Sequence, residues 1–359
     1  MAPSIVSKSA RRPVFGGGGR WQAFGGRPVR LTANGRVAIV GGLRALGLPK
    51  GASILMPAWH CGSEVDAVIA AGGRPVLYRQ GADMTPDMDD LERKAQEHAP
   101  WGIYVIHYFG YPQPVAQIGA IADDHGARLI EDVALGLLSN TPSGEPLGSA
   151  GQMTVYSLVK TLPVPDGGAL WLRNPAAHSR FRWPGPHREL RGLAAMAKWH
   201  LRRNGPLSDR FAGVSEQELD RWCADAGIDP LRPLGTACFV TKALLAAMDF
   251  DAVREKHRRN YQALWEELSD RTGVRAVLGR LPQGACPAYF PLWVEDPDRA
   301  SAALAASGVE SVRFWRRFHH AVDLADFPDI IDLKRRTIRL PIHPEVGEEA
   351  VRRIVAAFG

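Results

Sequence analysis

The sequence is poor in cysteine and contains no long apolar run. No apolar stretch approaches the roughly eighteen residues that a membrane span requires. The first residues, MAPSIVSKSARRPVF, are basic but lack the apolar segment of a signal peptide. The four cysteines lie far apart and form no C-x-x-C pair, which argues against a disulfide framework and a zinc module: Cys61, Cys223, Cys238 and Cys286. We therefore expect a cytoplasmic protein with free thiols, no metal site and no membrane span.

Lysine is also scarce. Only eight of the 44 basic residues are lysines, and the net charge is +6 over 359 residues. An excess of this size fits an anionic small ligand as well as a polyanion, so by itself it does not indicate nucleic-acid binding. The composition, 45% hydrophobic and 23% charged, is ordinary for a protein with a sizeable core. The few lysines leave a short list of candidates for lysine chemistry.

Apolar strands alternate with helical stretches over the first half of the chain. Runs rich in Ile, Val and Leu predict strands at 52–57, 74–79, 102–109, 127–132, 153–158 and 168–173. Helical spacing predicts helices between most of them, at 37–46, 63–72, 88–98 and 115–126. This alternation predicts an α/β fold with a large, doubly wound and mostly parallel sheet. Such sheets bind ligands beyond the carboxyl ends of their strands.

The chain divides into a lead-in and two domains. Residues 1–29 include the glycine-rich FGGGGRWQAFGGRP and are predicted to be a flexible N-terminal lead-in. The alternating part, 30–240, is predicted to be the large, ligand-binding domain. Residues 241–359 predict a small C-terminal α+β domain. Its last helix has an apolar face made of Val351, Ile354, Val355 and Phe358.

A basic and aromatic insertion is predicted at 180–206, within the large domain. Its arginines are interleaved with Trp183 and Trp199. Three interpretations stay open: a nucleic-acid or membrane-surface patch, a solvated helix beside a loop, and a lid that attracts an anionic substrate. Because the net charge is mild, we expect no nucleic-acid partner.

The segment SLVKTLPVPDGGALWL, 157–172, places Lys160 in a loop just past an apolar strand. It could be an ordinary surface lysine, or the lysine of an S-x-x-K acyl-enzyme with Ser157. The latter motif lacks its S-D-N and K-T-G companions. The third interpretation is the Schiff-base lysine of pyridoxal 5′-phosphate (PLP). Such a lysine must lose its proton to attack an aldehyde, and a loop hemmed by Pro163 and Pro165 can lower its pKa by desolvation.

An acid for the pyridine nitrogen of PLP is available in Asp132. It ends the strand ARLIED, where a sheet presents a side chain to its ligand. A carboxylate there keeps the ring nitrogen protonated, although a helix N-cap is the simpler role for this residue alone. Glu131 is adjacent, but side chains alternate along a strand, so only one of the two can face the cofactor.

Phosphate donors are expected where a helix begins, since free N–H groups and the helix dipole attract anions there. The segment LTANGRVAIVGGL offers Asn34, Gly35 and Arg36 at such a start. Ser157, three residues before Lys160, is a second donor. Each of these donors alone is weak evidence for a phosphate site. Together with Lys160 and Asp132, they make up the groups that PLP requires.

These residues resemble the DegT/DnrJ/EryC1/StrS aminotransferases, fold-type-I PLP enzymes that commonly aminate nucleotide-linked keto sugars in amino-sugar biosynthesis. The similarity covers residues 30–359 in collinear order. It rests on NGRVAIVGGLRALGLPKGASILMPAWHCGSEVDAVIAAGGRPVLY, YVIHYFGYPQP, HGARLIEDVA, GEPLGSAGQMTVYSLVKTLPVPDGGALWL and IRLPIHPEVGEEAVRRIV.

The resemblance implies roles for individual residues. Lys160 matches the Schiff-base lysine and Asp132 the partner of the pyridine nitrogen. Gly35 and Arg36 match the phosphate turn, and Ser157 lies near the serine upstream of the lysine. The segment PAWHCGS matches the loop that packs an aromatic ring on the cofactor. Alignment places Cys61 at the stacking position, so Trp59 or His60 must supply the ring, and we favour His60.

Three features depart from the family pattern. The usual EDAAQ or EDCAH becomes EDVAL, so Leu135 stands where a polar side chain often touches the cofactor or the substrate. The loop after the lysine reads TLPVPDGG rather than N-x-T-x-x-E-G-G, with Asp166 as its only acid. The basic stretch 180–203 has no counterpart. These departures concern the substrate more than the cofactor.

The resemblance implies a homodimeric aminotransferase with its site at the subunit interface. We expect an amino-acid donor, L-glutamate, and an anionic keto-sugar acceptor linked to a nucleotide, whose diphosphate the arginine-rich insertion could hold. The alternatives are a PLP-dependent lyase or dehydratase on a related sugar and a non-catalytic PLP-binding regulator. We interpret His319, His320 and His343 as structural or substrate-side residues rather than metal ligands.

Overall fold

A computed structural model describes residues 21–174, 181–183, 185–204, 234–309 and 311–359. In these ranges the strands form a seven-stranded and a four-stranded sheet. The large sheet has the strand order β1-β7-β6-β5-β4-β2-β3. Its strands are β1 (Arg30–Thr32), β2 (Ser53–Pro57), β3 (Arg74–Tyr78), β4 (Gly102–Ile106), β5 (Arg128–Asp132), β6 (Met153–Ser157) and β7 (Gly168–Leu172).

The central strands β3, β2, β4, β5 and β6 run parallel, which confirms the predicted α/β fold. Strand β7 is antiparallel to both β6 and β1. The connection between β6 and β7, residues 158–167, is too short for a parallel crossover, which needs about a dozen residues or more. The chain therefore turns back directly, and this turn carries Lys160.

The helices beside the large sheet begin and end close to the predicted positions. They are α1 (Gly35–Ala45), α2 (Ser63–Ala71), α3 (Met88–His98), α4 (Val115–Asp124), α5 (Leu158–Thr161) and α6 (Pro186–Asn204). The prediction of a loop at Lys160 was wrong, because Lys160 lies in the single turn of α5. Helix α1 begins at Gly35 because the Asn34 side chain accepts a hydrogen bond from the Val37 N–H at 3.0 Å.

The C-terminal part forms the small antiparallel sheet, in the order β10-β11-β9-β8. Its strands are β8 (Val274–Ala276), β9 (Phe290–Val294), β10 (Val312–Arg313) and β11 (Thr337–Leu340). The accompanying helices are α7 (Phe239–Ala247), α8 (Phe250–Leu268), α9 (Pro297–Ala306), α10 (Pro328–Arg336) and α11 (Glu348–Ala356). Ile354 of α11 is fully buried, and Val351, Val355 and Phe358 pack against the same core.

The described part of the predicted lead-in differs from the expectation. Phe24 and Val29 are buried in the core. The Arg27 guanidinium donates to the main-chain oxygens of Leu147 at 2.9 Å and Gly148 at 2.7 Å. Residues 21–29 are therefore an ordered part of the large domain, while residues 1–20 lie outside the described ranges.

The predicted insertion 180–206 is described in part, since residues 180, 184, 205 and 206 lie outside the described ranges. Its helix α6 packs on α7, where a Cβ added to Gly192 would lie 2.8 Å from the Cys238 sulfur. Leu190 and Leu193 are exposed on α6. Its role as a lid or a solvated helix stays a prediction. Across the described residues, no helix combines the length and the apolar character that crossing a membrane would require.

Candidate active site

Lys160 and Asp132 meet at the carboxyl edge of the large sheet. Asp132 is the last residue of β5, and Lys160 follows the end of the neighbouring parallel strand β6. Burial raises the pKa of the Asp132 carboxyl, and the positive charge of Lys160 opposes this rise. The two side chains are therefore close enough to interact electrostatically, as a ligand held between them requires.

Two hydrogen bonds fix the orientation of the Asp132 carboxylate. The Tyr104 hydroxyl donates to Oδ2 at 2.6 Å, and the main-chain N–H of Ala134 donates to Oδ1 at 2.7 Å. Glu131 faces the other way, accepting from Gly151 N at 2.6 Å and pairing with His107 Nε2 at 2.9 Å. This is the alternation expected along a strand. We had not predicted Tyr104, although its place on a strand beside β5 was a usable signal.

The start of α1 lies against the end of β6 and the start of β7. A Cβ added to Gly168 would lie 2.4 Å from the carbonyl carbon of Asn34 and 2.6 Å from the Gly35 nitrogen. A Cβ on Gly35 would be 3.8 Å from that of Ser157. The first turn of α1 and Ser157 are therefore neighbours, an arrangement that suits a phosphate.

The described part of the basic insertion lies beside this place. The Ala33 N–H donates to the Gly235 oxygen at 2.8 Å, and Arg182 pairs with the same stretch through its main chain. The Arg188 guanidinium is 3.4 Å from where a Gly235 Cβ would stand. Arg36 is half-buried at the first turn of α1. One arginine thus lies on the first turn of α1, and a second lies beside the segment that is hydrogen-bonded to Ala33.

The loop after β2 carries Trp59, His60 and Cys61. Trp59 is fully buried and stacks on Tyr108, with ring centroids 5.0 Å apart. Its ring also meets Phe314 and Trp315 of the small domain at 5.8 and 5.3 Å. Trp59 therefore belongs to an aromatic cluster that joins the two domains.

His60 is also fully buried, and burial lowers its pKa to about 4, so its imidazole is neutral at pH 7. Among the described residues, neither ring nitrogen has a hydrogen-bond partner. Its electrostatic neighbours are Glu64, Lys334 and His319. The covering role that we favoured for His60 stays a prediction.

Cys61 lies near Lys160. Burial raises the pKa of its thiol to about 12, with Glu64 adding to this effect and Lys160 opposing it. The Cys61 thiol donates to Glu64 Oε2 at 2.9 Å. Cys61 is therefore a protonated, neutral side chain beside the candidate lysine.

Asp166, the only acid of the loop after Lys160, accepts hydrogen bonds from the start of α7. Its carboxylate accepts from Cys238 N at 3.2 Å and from the Thr241 hydroxyl at 2.7 Å, at the start of that helix. Leu135, where the family often has a polar residue, is buried in the apolar core, and its carbonyl accepts from Ala288 N at 2.9 Å. Both departures thus have structural roles.

His319, His320 and His343 lie outside this loop. His319 Nε2 pairs with Asp66 at 2.8 Å, and the His319 and His320 rings stack at 4.7 Å. His343 is buried in the small domain. Within the described ranges, no group of three or more His, Cys, Asp or Glu side chains is arranged to hold a metal ion.

The sequence profile of the DegT/DnrJ/EryC1/StrS aminotransferase family matches residues 25–359. The chain belongs to this family. A curated relative from Saccharopolyspora spinosa, named dTDP-4-dehydro-2,3,6-trideoxy-D-glucose 4-aminotransferase, is 25% identical over 335 residues, which cover 90% of this chain and 82% of the relative.

Solved structures of aminotransferases share the fold of this DegT-family chain. A DegT/DnrJ/EryC1/StrS aminotransferase from Brucella abortus has a TM-score of 0.67 at 20% identity, covering 94% of this chain and 87% of the other. NtdA from Bacillus subtilis, solved with the cofactor PMP bound, has a TM-score of 0.66 at 18% identity, covering 96% and 77%. The protein is an enzyme of the aminotransferase type.

Proposed function

We propose that this enzyme uses PLP to move an amino group from L-glutamate to a keto group of a nucleotide-linked sugar. The observation that carries the proposal is the meeting of Lys160, Asp132 and the N-terminus of α1 at one edge of the sheet. Family membership supports the reaction class, and the name of the Saccharopolyspora spinosa relative supports the acceptor class.

The residues present fit the three binding groups of PLP. Lys160 Nζ can bond the aldehyde carbon, and Asp132 can hold the ring nitrogen. The Gly35 N–H, Arg36 and the Ser157 hydroxyl can hold the phosphate at the start of α1. When bound, the cofactor supplies an electron sink that stabilises negative charge on the amino-acid carbon.

Asp132 and Lys160 then divide the proton chemistry. Asp132, oriented by Tyr104 and Ala134, would hold the ring nitrogen in its protonated form through its carboxylate. Lys160 Nζ would hold and move a proton at the substrate carbon as a general acid and base. His60 and Cys61 come from the loop that would cover the ring, and Cys61 lies near Lys160.

Two further parts of the proposal concern partners. We place the site at the interface of a homodimer, as the family resemblance implies, and a monomeric mass in solution would contradict this. We also assign the acceptor's diphosphate to the arginine-rich segment 180–206. Arg188 lies beside Gly235, whose carbonyl accepts from the Ala33 N–H just before α1, and this supports the assignment.

The absorption spectrum with PLP, before and after L-glutamate, tests the donor half of the reaction. We expect a yellow band that glutamate bleaches. Lys160→Ala should abolish the band and turnover while the protein stays folded. The matched control Lys242→Ala removes another half-buried lysine, whose Nζ lies 3.5 Å from the Thr236 hydroxyl, and should behave as wild type.

Other outcomes separate the alternatives. A yellow band that glutamate leaves unchanged would favour a lyase, a dehydratase or a regulator. Near-normal turnover by Lys160→Ala would overturn the assignment of the lysine. The acceptor is tested by adding a dTDP-linked 4-keto sugar to the glutamate-bleached enzyme, where the yellow band should return and mass spectrometry should detect the amino sugar. The same sugar without its nucleotide is the control.

A further inference from the structure

A second lysine, Lys334, is buried where the small domain meets the large one. It lies on α10, and its exposure to solvent is 0%. Its Nζ donates to the main-chain oxygen of His60 at 2.6 Å. Burial lowers the pKa of this ammonium to about 8. Since a buried cation is costly in free energy, a lysine here needs a specific interaction that offsets the cost.

The backbone on either side of His60 makes hydrogen bonds with residues of the large domain. The Trp59 N–H donates to Gln80 Oε1 at 2.8 Å, and the Tyr108 hydroxyl donates to the Trp59 oxygen at 2.5 Å. The Cys61 N–H donates to Glu64 Oε1 at 2.8 Å. The His60 carbonyl, in the middle of this stretch, is held from the small domain by Lys334.

The same cation also interacts electrostatically with two residues of the large domain, of which Cys61 lies near the candidate lysine. Its electrostatic neighbours are Cys61 and Glu64. The Cys61 thiol is bound to Glu64 and lies near Lys160. The chain of contacts therefore runs from α10 through the loop backbone to the candidate active site.

We propose that Lys334 is a positioning residue: its bond to the His60 carbonyl fixes the backbone of residues 59–61, so that Cys61 stays beside Lys160. Its significance for cofactor binding depends on the proposed function. The placement of Cys61 itself is a property of the protein without cofactor, and it can be measured there.

The experiment compares Lys334→Met with wild type by the rate at which N-ethylmaleimide labels Cys61, followed by peptide mass spectrometry. Methionine has a similar length and no charge, so it fills the same space and removes the donor to the His60 carbonyl. We expect Cys61 to be labelled about tenfold faster or more, because one charged hydrogen bond that held the loop is lost. Cys238 and Cys286, which are fully buried, should keep their slow rates.

The matched control is Asp329→Asn, on the same helix. Asp329 makes a cross-domain contact with Arg79 at 3.6 Å, but both side chains are exposed, so its loss should change the Cys61 rate less than twofold. Equal Cys61 rates in Lys334→Met and wild type would overturn the proposal, as would faster labelling of Cys238 and Cys286 together with Cys61. If Lys334→Met does not fold, Lys334→Leu, which also lacks a donor, is judged by the same criteria.

A second readout is the dissociation constant of PLP, measured by absorption. It should rise about tenfold to a hundredfold in Lys334→Met and stay unchanged in Asp329→Asn. An unchanged constant together with faster Cys61 labelling would overturn the link to cofactor binding while leaving the loop placement supported. A wild-type protein that takes up no PLP would refute the proposed function, and the labelling rates would still decide the role of Lys334.

Discussion

Gly168 is the position where the smallest possible change should disturb the proposed phosphate site. A Cβ at this residue would stand 2.4 Å from the Asn34 carbonyl carbon and 2.6 Å from both the Asn34 oxygen and the Gly35 nitrogen. These are backbone atoms, so no side chain can rotate away. Because ordinary Cβ contacts begin at 3.4 Å, Gly168→Ala must push the start of α1 away by about 1 Å.

The displacement should affect both stability and cofactor binding. Overpacking of this kind costs about 1–3 kcal/mol, which corresponds to a fall in Tm of roughly 2–6 °C for a large domain. Moving the helix N-terminus away from Ser157 weakens at least one charged hydrogen bond to the phosphate. We therefore expect the PLP dissociation constant to rise by about tenfold to a hundredfold, measured by absorption titration.

Gly119→Ala is the matched control. Gly119 lies within α4, and a Cβ there would meet nothing within 4 Å. This change should stabilise the protein by about 0.4–1 kcal/mol and leave PLP binding unaltered. A Gly168→Ala protein that binds PLP with wild-type affinity would refute the placement of the phosphate at the start of α1, whatever its Tm.

Three further predictions test single groups. Asp132→Asn should lower turnover by about 10²–10⁴-fold with little change in Tm, and wild-type kcat would contradict its role. Tyr104→Phe removes a hydrogen bond to a carboxylate worth about 1.5–3 kcal/mol, so kcat should fall about tenfold or more while PLP still binds. Lys334 has a pKa lowered from 10.5 to about 8, so the unfolded chain binds more protons between these pH values. The unfolding free energy of wild type relative to Lys334→Met, from urea titrations, should therefore rise by about 3 kcal/mol from pH 8 to 10.5 and stay flat below pH 7.

Much of the large sheet could be predicted because its periodicities are strong. The six predicted strands correspond to β2 to β7, and the four predicted helices to α1 to α4. The position of Asp132 could be predicted for the same reason, since a carboxylate that ends an apolar run lies at the ligand-binding edge of a parallel sheet. The antiparallel orientation of β7 follows only when the short length of its connection to β6 is also considered.

The groups that hold the site were harder to predict, because they depend on distant contacts. Tyr104 reaches Asp132 from a neighbouring strand, and Lys334 reaches His60 across 274 positions of sequence. Helix α10, which carries Lys334, is rich in charged residues, and Lys334 lies on its buried face with Ile330 and Leu333. The burial of a lysine there follows from domain packing, for which the sequence carries no local signal.

The position of Lys160 shows how such distant contacts decide the chemistry. Helix α5 is a single turn, and a helix this short has no stability of its own in water. It is held where the Leu158 N–H donates to the Gly167 oxygen at 3.1 Å, and Asp166 beside it is bound by Thr241 of α7. The acid that departs from the family pattern therefore anchors the turn that carries the lysine. The orientation of Lys160 thus depends on the packing of α7 as well as on the strand that precedes it.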